Sequence, residues 1–279
     1  LVLNTCAHHG TAIGNRALHC NTTGHSNTAS GSYALFKNTT GACNQAYGTL
    51  SLYNNTTGCY NSGFGRATLC SNTTGVKNTA VGSCALGKNT TGSCNTAFGS
   101  EALHCNTTGH RNTGIGWESL CKNTTGACNV AAGIAPLYSN TTGTTNTAFG
   151  YIALYSNTTA NNNVAVGACS LYANTTGTEN VGVGFKALVN NTCGDQNTAI
   201  GFCSGYGITS GCCNTSSGYM SLASTTTGAA NVAMGGHALQ QNTTGHHNVA
   251  LGHQALCANT TATFNVAVGR ESMRSNTTG

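Results

Sequence analysis

The residues of this sequence that most plainly carry chemistry are asparagines in Asn-x-Ser/Thr triplets. This triplet is the acceptor for N-linked glycosylation in secreted proteins, where the sugar is joined to the side-chain amide nitrogen. The acceptors recur in one register, and where Ile208 replaces the leading asparagine a new triplet begins at Asn214. Two further triplets of the rarer Asn-x-Cys type begin at Asn4 and Asn191. The Asn-x-Ser/Thr triplets predict covalent N-glycans at Asn21, Asn38, Asn55, Asn72, Asn89, Asn106, Asn123, Asn140, Asn157, Asn174, Asn214, Asn242, Asn259 and Asn276.

A ladder of unmodified asparagines is the alternative explanation of the same recurrence. Stacked coils favour columns of asparagine, because the side chains can bond to one another and to the turn backbone. A second asparagine recurs just as regularly six residues later, yet Thr-Ala or Val-Ala usually follows it, so it is not an acceptor. The threonine that almost always stands two residues after the first asparagine favours glycosylation. Both interpretations can hold together.

These asparagines belong to a repeat that fixes where they lie. The block Asn-Thr-Thr-Gly, or a variant of it, begins at residue 4 and then every 17 residues to residue 276, without insertion or deletion. The consensus is N-T-T-G-x-x-N-T-A-x-G-x-x-A-L-x-x, and we number its positions places 1 to 17. Place 11 is glycine in all sixteen units, and place 15 is leucine except at Gly205 and Met273. We therefore expect residues 1–279 to form a single continuous array, a segment of a longer fibre.

The period predicts an all-β fold, a β-solenoid or β-roll of 16 stacked 17-residue coils. Seventeen residues are too few for two packed helices, and Gly, Asn and Thr are poor helix formers. We predict two short strands per coil, such as residues 76–81 and 83–88. The corners would be Asn-Thr-Thr-Gly and the glycine at place 11, both with left-handed backbone angles. Leucine at place 15 would face inward, with place 10 facing it. Places 9 and 14 would line a narrow core or form a seam against another chain.

Cysteines are abundant, at 16 of 279 residues, and most lie at variable places that flank the corners. No Cys-x-x-Cys or Cys/His spacing of zinc type occurs. Neighbouring coils lie about 4.8 Å apart, within the usual range of Cα separations in a disulfide. Free buried thiols are the alternative, and Cys84 and Cys169 have no evident partner within the chain. The predicted disulfides pair Cys20 with Cys43, Cys59 with Cys70, Cys94 with Cys105, and Cys121 with Cys128.

Composition excludes several classes of function. Charged residues make up 5% of the chain, and the net charge of +5 is scattered singly, which is not the concentrated field that nucleic acids or anionic membranes require. No apolar stretch approaches the roughly 20 residues needed to span a bilayer. The histidines and charged residues occupy variable places, and no nucleophile motif, phosphate loop or carboxylate pair is present. We therefore predict that the protein is not an enzyme and has no metal or cofactor.

The unit N-T-A-x-G-x-x-A-L, present as residues 78–86, resembles repeats in trimeric adhesin heads and phage-type tail fibres. The likeness covers essentially the whole chain. It implies a β-roll or an intertwined fibre, often a homotrimer, that projects from a surface and contacts other cells. The design also resembles, more loosely, glycan-coated extracellular fibrils built from short repeats.

The leading expectation is an extracellular structural fibre or stalk, N-glycosylated along one edge, whose partners are copies of itself. Acceptor triplets together with cysteines indicate the extracellular compartment. The first alternative is the shaft of an adhesin or tail fibre, with cell-surface or glycan contacts. The second is ice binding, because N-x-A-x-G is similar to the N-x-V-x-G repeats of grass antifreeze β-rolls. The adjacent corner threonines argue against that alternative, since they cannot share one strand face.

Overall fold

A computed structural model describes residues 8–278 and shows an all-β protein with no helix in that range. Each 17-residue coil contributes one three-residue strand at places 8 to 10. The strands are β1 (Thr11–Ile13), β2 (Thr28–Ser30), β3 (Gln45–Tyr47), β4 (Ser62–Phe64), β5 (Thr79–Val81), β6 (Thr96–Phe98), β7 (Thr113–Ile115), β8 (Val130–Ala132), β9 (Thr147–Phe149), β10 (Val164–Val166), β11 (Val181–Val183), β12 (Thr198–Ile200), β13 (Thr215–Ser217), β14 (Val232–Met234), β15 (Val249–Leu251) and β16 (Val266–Val268).

The chain forms two compact units, Leu1–Thr142 with β1 to β8 and Gly143–Gly279 with β9 to β16. Within each unit every strand pairs in parallel with the next strand along the chain. The register is one full repeat, as in Thr79 opposite Thr96 in the first unit and Val232 opposite Val249 in the second. The predicted β-solenoid of stacked 17-residue coils is therefore confirmed in each unit.

The prediction of two strands per coil is wrong, because only places 8 to 10 are extended. Residues 83–88, predicted to be a strand, form turns instead. Places 13 and 15 adopt left-handed backbone angles, with φ of 58° at Cys84 and 50° at Leu86, which no β-strand accommodates. Hydrogen bonds between coils continue through these turns, and Leu86 N donates to Ala102 O at 3.0 Å. The turns thus extend the stacking that the strands begin.

The two predicted corners use glycine for different reasons. At place 11 the left-handed prediction is confirmed: Gly82 has a φ of 120°, and an added Cβ would lie 2.6 Å from the carbonyl of Gly99. At place 4 the prediction of a left-handed backbone angle is wrong, because Gly75 lies outside the left-handed region. Glycine is favoured there because a Cβ would lie 2.4 Å from Gly92 O, although alanine stands at place 4 in a few other coils. The left-handed residue at this corner is at place 6, where Lys77 has a φ of 57°.

The core is a narrow column inside each unit. The leucines at place 15 are buried as predicted, and the small residues at places 9 and 14, such as Ala80 and Ala85, are buried against them. Places 9 and 14 therefore line the core and do not form a seam against another chain. Place 10 does not face the leucines: Phe98 is 56% exposed. Because side chains alternate along a strand, an inward place 9 requires places 8 and 10 to point outward.

Candidate functional site at the asparagine corners

The asparagines at place 1 lie inside the coil, and neighbouring ones form a hydrogen-bonded column that is broken where Ile208 and Thr225 replace asparagine. Asn38 Nδ2 donates to Gly41 O at 2.9 Å and to Asn21 Oδ1, one coil earlier, at 2.7 Å. Asn55 makes the same two bonds, at 2.9 Å to Gly58 O and at 2.8 Å to Asn38 Oδ1. Each side chain thus closes its own corner and binds the neighbouring corner.

The asparagines at place 7 form a second buried column beside the first. Asn27 Nδ2 donates to Gly41 O at 2.7 Å, so this carbonyl accepts from two asparagine amides. Asn27 Oδ1 in turn accepts from the backbone nitrogen of Asn44 at 2.9 Å. The two columns are therefore tied together at the place 4 carbonyl of every such corner, which explains why both asparagines recur.

The threonine at place 2 supplies a third connection between coils. The carbonyl of Thr39 accepts the backbone nitrogens of Thr22, Thr23 and Gly24 at 3.0 to 3.2 Å. It also accepts the Thr22 hydroxyl at 3.0 Å. Four donors from one coil thus converge on a single carbonyl of the next, and only the threonine at place 3, such as Thr91, is exposed. The architecture of the corner thus explains places 1, 2 and 4 of Asn-Thr-Thr-Gly, and it does not explain the exposed threonine at place 3.

The predicted glycans along one edge would require acceptor asparagines that point outward, and these asparagines point inward. In the described chain all of them except the half-buried Asn276 are at most 2% exposed, and Asn4 lies outside the described residues. Both hydrogens of Nδ2 are used in the column, whereas a glycosylated amide keeps one hydrogen and needs space for the sugar. A glycan is therefore incompatible with the folded coil at Asn21, Asn38, Asn55, Asn72, Asn89, Asn106, Asn123, Asn140, Asn157, Asn174, Asn191, Asn214, Asn242 and Asn259.

None of the predicted disulfides is present. Stacking sets a cysteine beside the same or an adjacent place of the next coil, and not across the corner. Cys105 N donates to Cys121 O at 2.9 Å, which joins adjacent places, and Ala42 N donates to Cys59 Sγ at 3.3 Å, which joins the same place. Burial raises the pKa of the Cys121 thiol to about 12, and it also raises the pKa of Cys70. The free thiols are Cys20, Cys43, Cys59, Cys70, Cys94, Cys105, Cys121 and Cys128.

The variable places carry aromatic stacks on the outside. At place 16 Tyr155 stacks on Tyr172 with ring centroids 5.5 Å apart, and Phe36 stacks on Tyr53 at 5.3 Å. Over residues 8–278 no pocket occurs, and no three His, Cys, Asp or Glu side chains are arranged to hold a metal ion. The same range contains no helix of the length and apolar character that crossing a bilayer requires.

Sequence reasoning missed the outward column at place 10. Large apolar side chains occupy it, including Phe98, Ile115 and Met234, which are 56%, 45% and 48% exposed. The signal that could have revealed it is the invariably small place 9 between two larger neighbours. This pattern is typical of a strand whose middle residue faces a narrow core.

Comparison with known proteins adds no relative. No protein-family model matches the chain, and no curated protein matches it either. The likeness of the repeat to adhesin heads and tail fibres therefore stays a prediction.

Proposed function

We propose that this chain is a structural element of an extracellular fibre or stalk, with copies of itself as partners. The observation that carries the proposal is the repetition of one set of bonds from coil to coil within each unit. Asn72, Asn89 and Asn106 make the same two side-chain bonds, and every corner between them is closed in the same way. A column of identical connections resists local opening, because each coil is held from both sides.

The way in which polar groups are used supports a role without catalysis. The buried amides of the two asparagine columns are engaged in bonds between coils, so they are not available to a substrate. Arg270 and Arg274 pair with Glu271, and the described residues contain no group of three His, Cys, Asp or Glu side chains placed to hold a metal ion. Reaction chemistry requires convergent groups. A passive structural role fits this distribution best.

An extracellular location is supported by the likeness of the repeat to surface appendages. That likeness also supports the first alternative, in which the units form the shaft of an adhesin or tail fibre. Neither proposal now includes a coat of N-glycans on the asparagine edge, because the acceptor amides lie inside the coil. The cysteines give no further support, because those in the described part of the chain are free thiols.

Ice binding is a second candidate that one observation favours. In each unit the outward side chains of the strands form a regular, uncharged array, with threonine or valine usual at place 8. The corner threonines do not contribute to such an array, since Thr22 is partly buried by its bond to the next coil. Absence of thermal hysteresis in solutions of the purified chain would remove this candidate.

Immunogold electron microscopy of the source tests the structural proposal. Antibodies are raised against the purified chain and applied to intact and to permeabilised cells, with pre-immune serum as the control. We expect gold particles along filaments outside intact cells. Labelling that appears only after permeabilisation would contradict an extracellular fibre.

A further inference from the structure

Each unit presents a flat face that nothing in the structure covers. This sheet face consists of the outward side chains at places 8 and 10 of the eight strands of a unit. In β6 the burial alternates, with Thr96 and Phe98 exposed and Ala97 buried. Place 10 is the more apolar column, since Phe98 and Ile115 in the first unit, and Phe149 and Ile200 in the second, are between 42% and 56% exposed.

The sheet face carries no charge at any place 8 or place 10 of the sixteen strands. Its polar members are threonine, serine, one glutamine, Gln45, and one tyrosine, Tyr47. Because the chain's charged residues all lie at other places, the charge-free strip follows the strands through every coil of a unit. An uncharged strip that exposes several large apolar side chains on a surface marks a site of association.

The spacing at which the face repeats from coil to coil indicates which partner could bind it. Large side chains at place 10 stack directly on successive coils, as in Tyr47 on Phe64, whose ring centroids lie 4.9 Å apart with an interplanar angle of 6°. The ridges and grooves of the face therefore recur once per coil, about every 4.8 Å. Only a partner with the same period can fill every groove, and a second copy of this chain has that period.

The area of the face in one unit fits a weak pairing of two copies. Eight strands about 4.8 Å apart and three residues long at about 3.3 Å per residue give a face of roughly 400 Å² per unit. The face of one unit on each of two copies therefore amounts to roughly 800 Å² in total, which lies at the small end of specific interfaces.

We propose that two copies of this chain associate through their sheet faces, with the apolar side chains at place 10 interdigitating between the sheets. Dry packing of this kind places two sheets about 10 Å apart. The proposal rests on the proposed structural role and specifies the surface through which copies meet. Charged partners and nucleic acids are disfavoured, because the face offers them neither an ion pair nor a concentrated field.

Sedimentation velocity of the full chain over a concentration series tests this proposal, with reductant present to prevent disulfides between copies. The test variant is Phe98→Glu with Ile115→Glu, which places two charges on the face where the wild-type side chains are exposed. The matched control is Thr91→Glu with Thr108→Glu, which adds two charges away from the sheet face. Both threonines are exposed at the corners of two neighbouring coils. Far-UV circular dichroism verifies that both variants fold.

We expect the wild type and the corner control to sediment as assemblies, and the face variant to associate about tenfold more weakly or not at all, because apolar contact would bury its carboxylates. A wild type that stays monomeric would overturn the proposal. So would a face variant that assembles like the control. If the wild type is monomeric and also produces thermal hysteresis, the pairing is overturned and the face binds ice instead. Immunogold labelling is independent of these results, so an extracellular fibre can hold even where the face pairing fails.

Discussion

Asn38 donates its side-chain amide to Oδ1 of Asn21, the asparagine at the same place one coil earlier, at 2.7 Å. The residue that looks like a modification signal in the sequence is therefore a connector in the interior. The column is interrupted where Ile208 replaces asparagine. There Asn191 Oδ1 is buried and is the one buried side-chain polar atom without a partner in the described chain. An asparagine at place 1 thus completes the bonding of the coil before it.

Asn89→Ala tests how much one asparagine of the column contributes to the free energy of unfolding. The substitution removes bonds from Nδ2 to Asn72 Oδ1 at 2.8 Å and to Gly92 O at 2.9 Å, and it removes the acceptor of Asn106 Nδ2. Because buried groups of Asn72 and Asn106 lose partners, we expect the free energy of unfolding to fall by about 3 kcal/mol. Urea denaturation measures this change. Thr91→Ala, at the exposed place 3 of the same corner, should change it by less than about 0.5 kcal/mol.

Glycan occupancy tests the burial of the acceptors directly. When the chain passes through a glycosylating secretory pathway and the folded fraction is isolated, glycopeptide mass spectrometry should find Asn38, Asn89 and Asn174 unmodified. Asn276, which is half-buried, is the internal comparison. Sugar on Asn89 in folded material would refute the interior column.

Gly205 and Ile208 should behave as a coupled pair. Gly205 stands where other coils have leucine, and a Cβ there would lie 3.3 Å from Ile208 Cδ1 and 2.9 Å from Leu188 Cδ2. Ile208 thus occupies space that the missing leucine leaves. Ile208→Asn alone should cost about 2 to 4 kcal/mol through a cavity, and Gly205→Leu alone about 1 to 3 kcal/mol through crowding.

The double variant restores the consensus at both places and gives Asn191 Oδ1 a donor. We expect it to be at least as stable as the wild type, so a double-mutant cycle by urea denaturation should show strong favourable coupling. Strictly additive losses would show that the two side chains do not share one space.

Adjacent glycines provide a matched pair for the place 11 corner. Gly235 has a φ of 129°, and an added Cβ would lie 2.7 Å from the carbonyl of Gly252. At Gly236 the nearest atom would be His253 Cδ2 at 3.4 Å. Gly235→Ala should destabilise the fold by about 3 kcal/mol or more, through strain and overlap with backbone. Gly236→Ala should stay within about 0.5 kcal/mol of the wild type. Equal melting temperatures for the two variants would contradict the model of this corner.

The Cys121 thiol should make stability depend on alkaline pH. Burial raises its pKa in the folded protein to about 12, above the ordinary value of 9.0. The unfolded thiol therefore ionises first, so the free energy of unfolding should fall as pH rises from about 9 toward 12. Cys121→Ala should weaken this slope in urea titrations at several pH values.

Much of the fold could be predicted from the sequence, because its constraints are local and repeated. A fixed period without insertions requires identical stacking, the invariable glycine at place 11 marks a backbone angle that other residues avoid, and the recurring leucine marks the core. The coupling of Gly205 to Ile208 was harder to predict, since the two depart from the consensus at different places. Their contact exists only when coils lie on one another.

The sequence by itself determined the 17-residue coil, the number of repeats and the inward leucines, since these follow from spacing and residue type. Only the tertiary structure decided that the asparagines turn inward, that places 12 to 17 form turns, and that place 10 faces out. The physical reason is that stacking sets each residue against its counterpart one repeat away. A polar side chain that would suit an exposed corner then finds an amide and a carbonyl in the interior, and its hydrogen bonds make burial favourable.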